Sequence, residues 1–290
     1  MQRLSKTLSI FAFALVFMAG TAFAQDNDAT VDQTGNDLTA TVDQSGNDGD
    51  VDVDQAGDFL EADVEQGGLL NETKIVQSGG RVNYPSQVTV DQFGDENEVF
   101  INQGGDGNVA TAFQEAGTSN NLIQISTETL GTTQTGFSNK ATAEQIGGTE
   151  SSDIFIDQRG DGNNTFDSES AASALQDGEV GSTIDILERR AGTYSTTDVV
   201  QRNGESNTAT VDVFGGNDAV DILQDNVTNS LVEVTQTAAG QNTMGGHYGK
   251  VTQMNGDMNE AVLTQTGLDH SSTIMQNGST NTATVTQSGN

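Results

Sequence analysis

Glutamine returns at positions 33, 44, 55, 66 and 77, eleven residues apart each time. The same step recurs at 92, 103 and 114, and again at 265, 276 and 287. Between these runs the spacing loosens through 124, 134, 145 and 158, and positions 176, 201, 224 and 236 match poorly before 253. Glycine often stands two places after the glutamine, as in Gln33-Thr34-Gly35 and Gln276-Asn277-Gly278, and asparagine five places after it, at Asn71, Asn97, Asn108, Asn139, Asn163 and Asn281. The residues between stations alternate: Val99, Ile101 and Gln103 follow Asn97, and Ala283, Val285 and Gln287 follow Asn281. Period-two alternation marks a strand with one face turned inward. The glycine supplies the turn, because it accepts the positive φ of a tight reversal. One such unit cannot bury its inner face alone, so it must stack on its neighbours.

Two units make a strand-turn-strand-turn coil of about 22 residues, and coils stacked at roughly 4.8 Å give two parallel sheets facing each other. The expected fold is therefore all-β: a parallel β-solenoid of on the order of ten coils, roughly 50 Å long, with a cross-β arrangement on polymerisation. Residue i should lie above residue i+22. The inward amides predicted to stack are Gln33, Gln44, Gln55, Gln66, Gln77, Gln92, Gln103, Gln134, Gln145, Gln265, Gln276 and Gln287, with Asn71, Asn97, Asn108, Asn139 and Asn281 in a second set. Small apolar residues between them form a thin core.

A thin core is what the composition requires. The 290 residues are 33% hydrophobic and 5% aromatic, with a net charge of −32 and no Cys. A globule of that composition has too little apolar bulk against its self-repulsion. No disulfide framework holds the fold. Ten Lys and Arg against 42 acidic residues exclude a phosphate-tracking patch, and with it nucleic acid as a partner. Residues 1–24 read as a secretory signal peptide: Arg3 and Lys6, then an apolar run from Ile10 to Ala19, then Ala22-Phe23-Ala24 before the cleavage point. No other stretch is apolar enough to cross a membrane, so the mature chain is expected outside the cell with no span.

The unit resembles the curlin repeat, Gln-x-Gly-x-x-Asn-x-Ala-x-Val-x-Gln. The match is close at Gln134-Thr135-Gly136-Phe137-Ser138-Asn139-Lys140-Ala141-Thr142-Ala143-Glu144-Gln145, and closer at Gln276-Asn277-Gly278-Ser279-Thr280-Asn281-Thr282-Ala283-Thr284-Val285-Thr286-Gln287. The resemblance implies a secreted structural protein that forms curli-like amyloid fibres at the cell surface, for biofilm matrix, cell adhesion and surface attachment. It further implies self-association, a nucleator subunit and an outer-membrane secretion pore as partners. The chain departs from the family in its length, its acidity and a degenerate stretch. The expected division is a signal peptide at 1–24, curlin-like repeats at 25–165, degenerate repeats at 166–250 and strong repeats at 251–290. Divergent coils are the favoured reading of the degenerate part. Pro85, which breaks the phase between Gln77 and Gln92, fits a loop bulging from the stack. The strong repeat running to Gln287 without a distinct polar cap is expected to leave a strand able to pair with another chain.

Acidic residues favour the place just before the glutamine: Asp32, Asp43, Asp54, Glu65, Asp91, Glu144 and Asp157. Alternation puts them outside, where they keep an aggregation-prone chain soluble or act as ladders that slow assembly until acid or divalent cations neutralise them. The turns Gly104-Gly105-Asp106-Gly107-Asn108 and Gly160-Asp161-Gly162-Asn163 resemble calcium-binding β-roll turns, making Asp106 and Asp161 weak metal candidates and weak calcium binding the one cofactor to weigh. That motif needs a nine-residue period and this chain has eleven. His247 and His270, isolated and without Cys, are expected to face solvent and to hold no zinc. No nucleophile elbow or carboxylate cleft stands out, so an enzyme is not expected. The competing functional readings are a monomeric acidic cell-surface solenoid that binds divalent cations or matrix polymers, and a minor fibre nucleator.

Overall fold

The structure, a computed structural model, describes residues 26–80, 84–128, 138–159, 169–189, 195–215, 217–238 and 246–289. The signal-peptide reading falls outside them. The described residues hold 21 strands and no helix. In chain order the first eleven are β1 (Asp28–Asn36), β2 (Thr39–Gln44), β3 (Asp50–Asp58), β4 (Leu60–Gln66), β5 (Glu72–Gly79), β6 (Ser86–Gln92), β7 (Glu98–Gly105), β8 (Val109–Gln114), β9 (Leu122–Glu128), β10 (Ser138–Ile146) and β11 (Asp153–Arg159). There follow β12 (Glu169–Asp177), β13 (Thr183–Arg189), β14 (Thr196–Arg202), β15 (Thr208–Phe214), β16 (Ala219–Thr228), β17 (Leu231–Ala238), β18 (Tyr248–Asp257), β19 (Glu260–Gly267), β20 (Ser271–Asn277) and β21 (Thr282–Gly289).

Odd strands form one sheet of 11 and even strands a second sheet of 10, every neighbouring pair parallel. The chain thus winds as a two-sheet β-solenoid. Inward positions carry the core, and the two sheets divide its volume unequally. From β7 to β12 the odd sheet contributes the pairs Val99/Ile101, Ile123/Ile125 and Ile154/Ile156, while the even sheet contributes Ala110/Ala112, Ala141/Ala143 and Ala172/Ala174. Further on the sizes even out, with Ala209, Val211 and Val213 on β15 and Val220 and Ile222 on β16. From β7 to β12 a large residue on one sheet is thus matched by a small one on the other, the alternation that lets facing layers fill an interior without voids.

The simple i over i+22 register needs one correction. It holds from Gln33 to Gln55 to Gln77, but the step is 26 from Gln66 to Gln92 and 31 from Gln114 to Gln145. Most of the extra residues sit in connections that run from an odd strand to the following even strand, such as β5 to β6, where Pro85 lies, and β9 to β10. The other edge takes up fewer, Gln114 to Asn121 spanning 7 positions where Gln66 to Asn71 spans 5. Both edges of the solenoid absorb insertions, the odd-to-even edge the larger ones, and the ladders stay in phase. Strands β12 to β18 continue both sheets through the degenerate part of the sequence.

The turns share a backbone device that the repeat does not advertise. The residue just before each asparagine position is often left-handed although it is not glycine: Leu70 (φ 54°), Glu96 (φ 55°), Asn120 (φ 53°), Ser206 (φ 56°) and Met258 (φ 53°). Asn, Asp and Ser tolerate this region, whereas Leu and Met do so at a cost of about 1–2 kcal/mol.

Candidate functional site

The inward amides of the even sheet form one uninterrupted ladder. Gln44, Gln66, Gln92, Gln114, Gln145, Gln176, Gln201, Gln224, Gln253 and Gln276 each pass a hydrogen bond to the next, the side-chain Nε2 donating to the following Oε1 at 2.8–3.1 Å. The spare N–H of the amide reaches a backbone carbonyl of the turn, as from Gln66 to Asn71 at 3.0 Å and from Gln145 to Ser152 at 2.7 Å. All of these glutamines but Gln44 are buried. Burial of an amide without partners costs a few kcal/mol, and the ladder removes that cost at every coil. Every donor points toward the C-terminal end, so the ladder has a polarity.

The odd sheet carries a broken version. Gln33, Gln55, Gln77 and Gln103 are linked at 2.7–3.0 Å. Thr127 occupies the next station, in register with both Gln103 and Gln158. Gln158 then donates to Glu188 Oε2 at 3.0 Å, Val213 interrupts, and Gln236, Gln265 and Gln287 resume at 2.8–2.9 Å. Two sequence readings change here, and one residue had escaped them. Gln124 is no station: it pairs with Phe100 and Phe155 on the outer face. Gln176, Gln201, Gln224 and Gln236, poorly matched by spacing, sit in ladder register. Glu188, fully buried as an amide surrogate, had no signal in the repeat. Gln134 and Asp161 lie outside the described residues.

A second polar column runs along the even-to-odd turns. Here a side-chain oxygen accepts the backbone N–H of the same position one coil on. Asn71 Oδ1 accepts from Asn97 at 2.9 Å, Asn97 from Asn121 at 3.1 Å, and Asn121 from Ser152 at 2.9 Å. Ser152, Ser182, Asn207, Ser230 and Asn259 carry the column to Asn281 at 3.0–3.2 Å. Serine substitutes because its hydroxyl oxygen reaches the same N–H. On the opposite edge, Asn108 Oδ1 accepts from Asn139 at 3.2 Å, and that column later reads Asp218, His247 and His270. His247 is a correction: it is 2% exposed, stacked on His270 with ring centroids 5.2 Å apart.

Outside, the acidic residues stack in register, Asp28 beside Asp50, Asp32 beside Asp54 and Asp43 beside Glu65. Desolvation, then the neighbouring carboxylates Asp157 and Asp212, pushes Asp185 above the usual carboxylate range. Desolvation and then Asp221 does the same to Asp198, and desolvation and then Asp63 to Asp91. Lys74 relieves one column by pairing with Asp52 at 2.8 Å. Asp106 is half-buried in the turn before β8. Among the described residues no group of three or more His, Asp or Glu is arranged to hold a metal ion, and no helix is long and apolar enough to cross a membrane.

The chemistry of the site is that of backbone and amide pairing between coils. No curated protein matches the chain. Residues 24–57, which take in β1, β2 and most of β3 where both glutamine ladders begin, match the family model of the curlin associated repeat, so the solenoid carries a curlin repeat over that span.

Proposed function

We propose that this chain is a secreted structural protein that self-assembles, coil on coil, into curli-like extracellular fibres serving biofilm matrix, adhesion and surface attachment. The observation that carries the reading is the one-way glutamine ladder of the even sheet. Each coil offers amide N–H groups on one side and amide oxygens on the other, so a second copy of the same polarity extends the ladder as an additional coil does. A nucleator subunit and an outer-membrane pore belong to the same reading, as does removal of residues 1–24. The test is assembly of the purified chain lacking those residues. Thioflavin-binding fibres with a meridional reflection near about 4.7 Å are expected. A chain that stays monomeric at high concentration and acidic pH would sink the proposal.

The outward acidic columns favour a second reading in one respect. Stacked carboxylates about 5 Å apart repel by up to about 1 kcal/mol per pair in water, and this repulsion sets a barrier to assembly that protons or divalent cations lower. Fibre formation is then expected to accelerate between pH 7 and pH 4.5 and on addition of millimolar calcium. Equal rates under all these conditions would remove the gating role. Calcium binding by a persistently monomeric chain would favour the cation-holding surface solenoid instead.

A further inference from the structure

The column on the odd-to-even edge changes chemistry near its C-terminal end. His247 N–H donates to Asp218 Oδ1 at 2.8 Å, and the His270 backbone N–H lies 3.4 Å from His247 Nδ1. The other ring nitrogen, Nε2, is 3.3 Å from the carbonyl oxygen of Thr237. These contacts define one protonation state. Nδ1 must keep its lone pair to accept from His270, and Nε2 must carry the hydrogen to donate to Thr237, so the link requires neutral imidazole. Asparagine performs the same task elsewhere in the columns with an oxygen that takes up no proton.

A proton on Nδ1 turns the acceptor into a donor aimed at the His270 N–H, in a site with 2% exposure. The ring also lies parallel to that of His270, at 7° between planes, so charge on both rings is repulsive. One coil below, Asp218 Oδ2 is buried and has no hydrogen-bond partner among the described residues. A cationic ring gains a partner by approaching it. We infer that His247 is a proton-operated link between coils: neutral, it ties the turn before β20 to the turn before β18, and protonated, it releases His270 and pairs with Asp218.

The ionisable groups around the ring are few. Asp218 faces it from the turn before β16, Asp269 and His270 come from the turn before β20, and Tyr248 is its chain neighbour on β18. From β17 the contact is the neutral carbonyl of Thr237, and β19 meets His270 through the carbonyl of Thr266 at 3.0 Å. Acid therefore acts in opposite directions on this protein: it relaxes the outer carboxylate columns and loosens the coil that starts at β20. This inference does not depend on fibre formation, since it concerns contacts within one chain.

The experiment is hydrogen exchange across residues 270–277 on the full monomeric chain at pH 7.5 and pH 5.0, corrected for intrinsic rates, with nitrogen NMR of the histidine rings. At pH 7.5 His247 is expected as the Nε2–H tautomer, and at pH 5.0 exchange in this segment is expected to rise about tenfold, the scale on which loss of one buried link of about 1.4 kcal/mol is read. His247→Asn restores the amide of the other columns and is expected to abolish the difference. Protection that is equal at both pH values, an Nδ1–H tautomer at pH 7.5, or an undiminished response in His247→Asn would each overturn the inference; the first two are read on the unmodified chain.

Discussion

Gln158 and Glu188 form the last link of a ladder segment, Nε2 donating to Oε2 at 3.0 Å, with Val213 the next residue in line. Glu188 also accepts from the Thr197 hydroxyl at 2.6 Å across the interior. A glutamine in this place would aim an N–H at a valine. A carboxylate has only oxygens to offer, so it ends the run without a stranded donor. Glu188→Gln keeps an oxygen for Gln158 but strands an N–H against Val213, and is expected to be less stable than the parent. Glu188→Ala strands two buried donors at about 1–3 kcal/mol each, and is expected to be the least stable of the three. Urea unfolding midpoints at constant m give the order.

Glu179 is a second buried acid, held by Ser182 at 2.6 Å and Asn207 at 3.1 Å on one oxygen. Desolvation raises its pKa above the usual carboxylate range, and the two donors offset only part of that. The folded chain therefore binds this proton more tightly than the unfolded one. The contribution is most favourable below the unfolded value of about 4.3 and is lost as pH rises through the folded value. Glu179→Gln has no such dependence. The stability difference between parent and variant is expected to move in the parent's favour between pH 7 and pH 4.5; a difference independent of pH would contradict this account.

The left-handed turn residues give a stabilising prediction. Leu70 and Met258 are 55% and 60% exposed and hold φ near +54° and +53°, so they have strain and little burial to lose. Leu70→Asn and Met258→Asn are each expected to add up to about 1 kcal/mol, since asparagine tolerates this region. Thermal unfolding of each variant measures the gain, and the two sites are far enough apart for their effects to add.

The alternation, the turn glycine and the amide stations were legible because each follows from a local period, and they led directly to the two-sheet solenoid. What escaped had left that period. Gln176, Gln201 and Gln224 sit in the ladder despite irregular spacing, because the insertions lie in the connections and leave strand phase untouched. Gln124 was misplaced for the opposite reason: it keeps the spacing approximately but has the wrong parity, so its side chain points outward while Thr127 faces in. The Asp218–His247–His270 column was illegible because its residues lie 29 and 23 positions apart and only coil stacking brings them together.

Two glycines with nearly the same backbone separate strain from crowding. Gly68 (φ +94°) and Gly117 (φ +95°) are both left-handed, but a Cβ on Gly68 would collide with the Gly94 carbonyl of the next coil, while one on Gly117 would meet no atom within 4 Å. Gly117→Ala is expected to cost about 1 kcal/mol from φ alone. Gly68→Ala must also push two coils apart, and is expected to cost at least twice as much. Equal costs would mean that the turn column is not closely stacked.

The ladder itself is tested by comparing two glutamines that only the fold tells apart. Gln114 is fully buried, accepts from Gln92 at 2.9 Å and donates to Gln145 at 2.8 Å. Gln124 lies on the outer face of the odd sheet. Gln114→Ala leaves a cavity, removes the acceptor of one amide and the donor of another, and is expected to cost about 2–4 kcal/mol. Gln124→Ala should stay within about 0.5 kcal/mol of the parent. Because each coil contacts only its neighbours, the Gln114 defect divides the stack. Hydrogen exchange should rise in β6, β8 and β10 and remain unchanged in β18 and β20. A uniform loss of protection along the whole chain would show that the solenoid unfolds as one unit and that no single ladder link governs local stability.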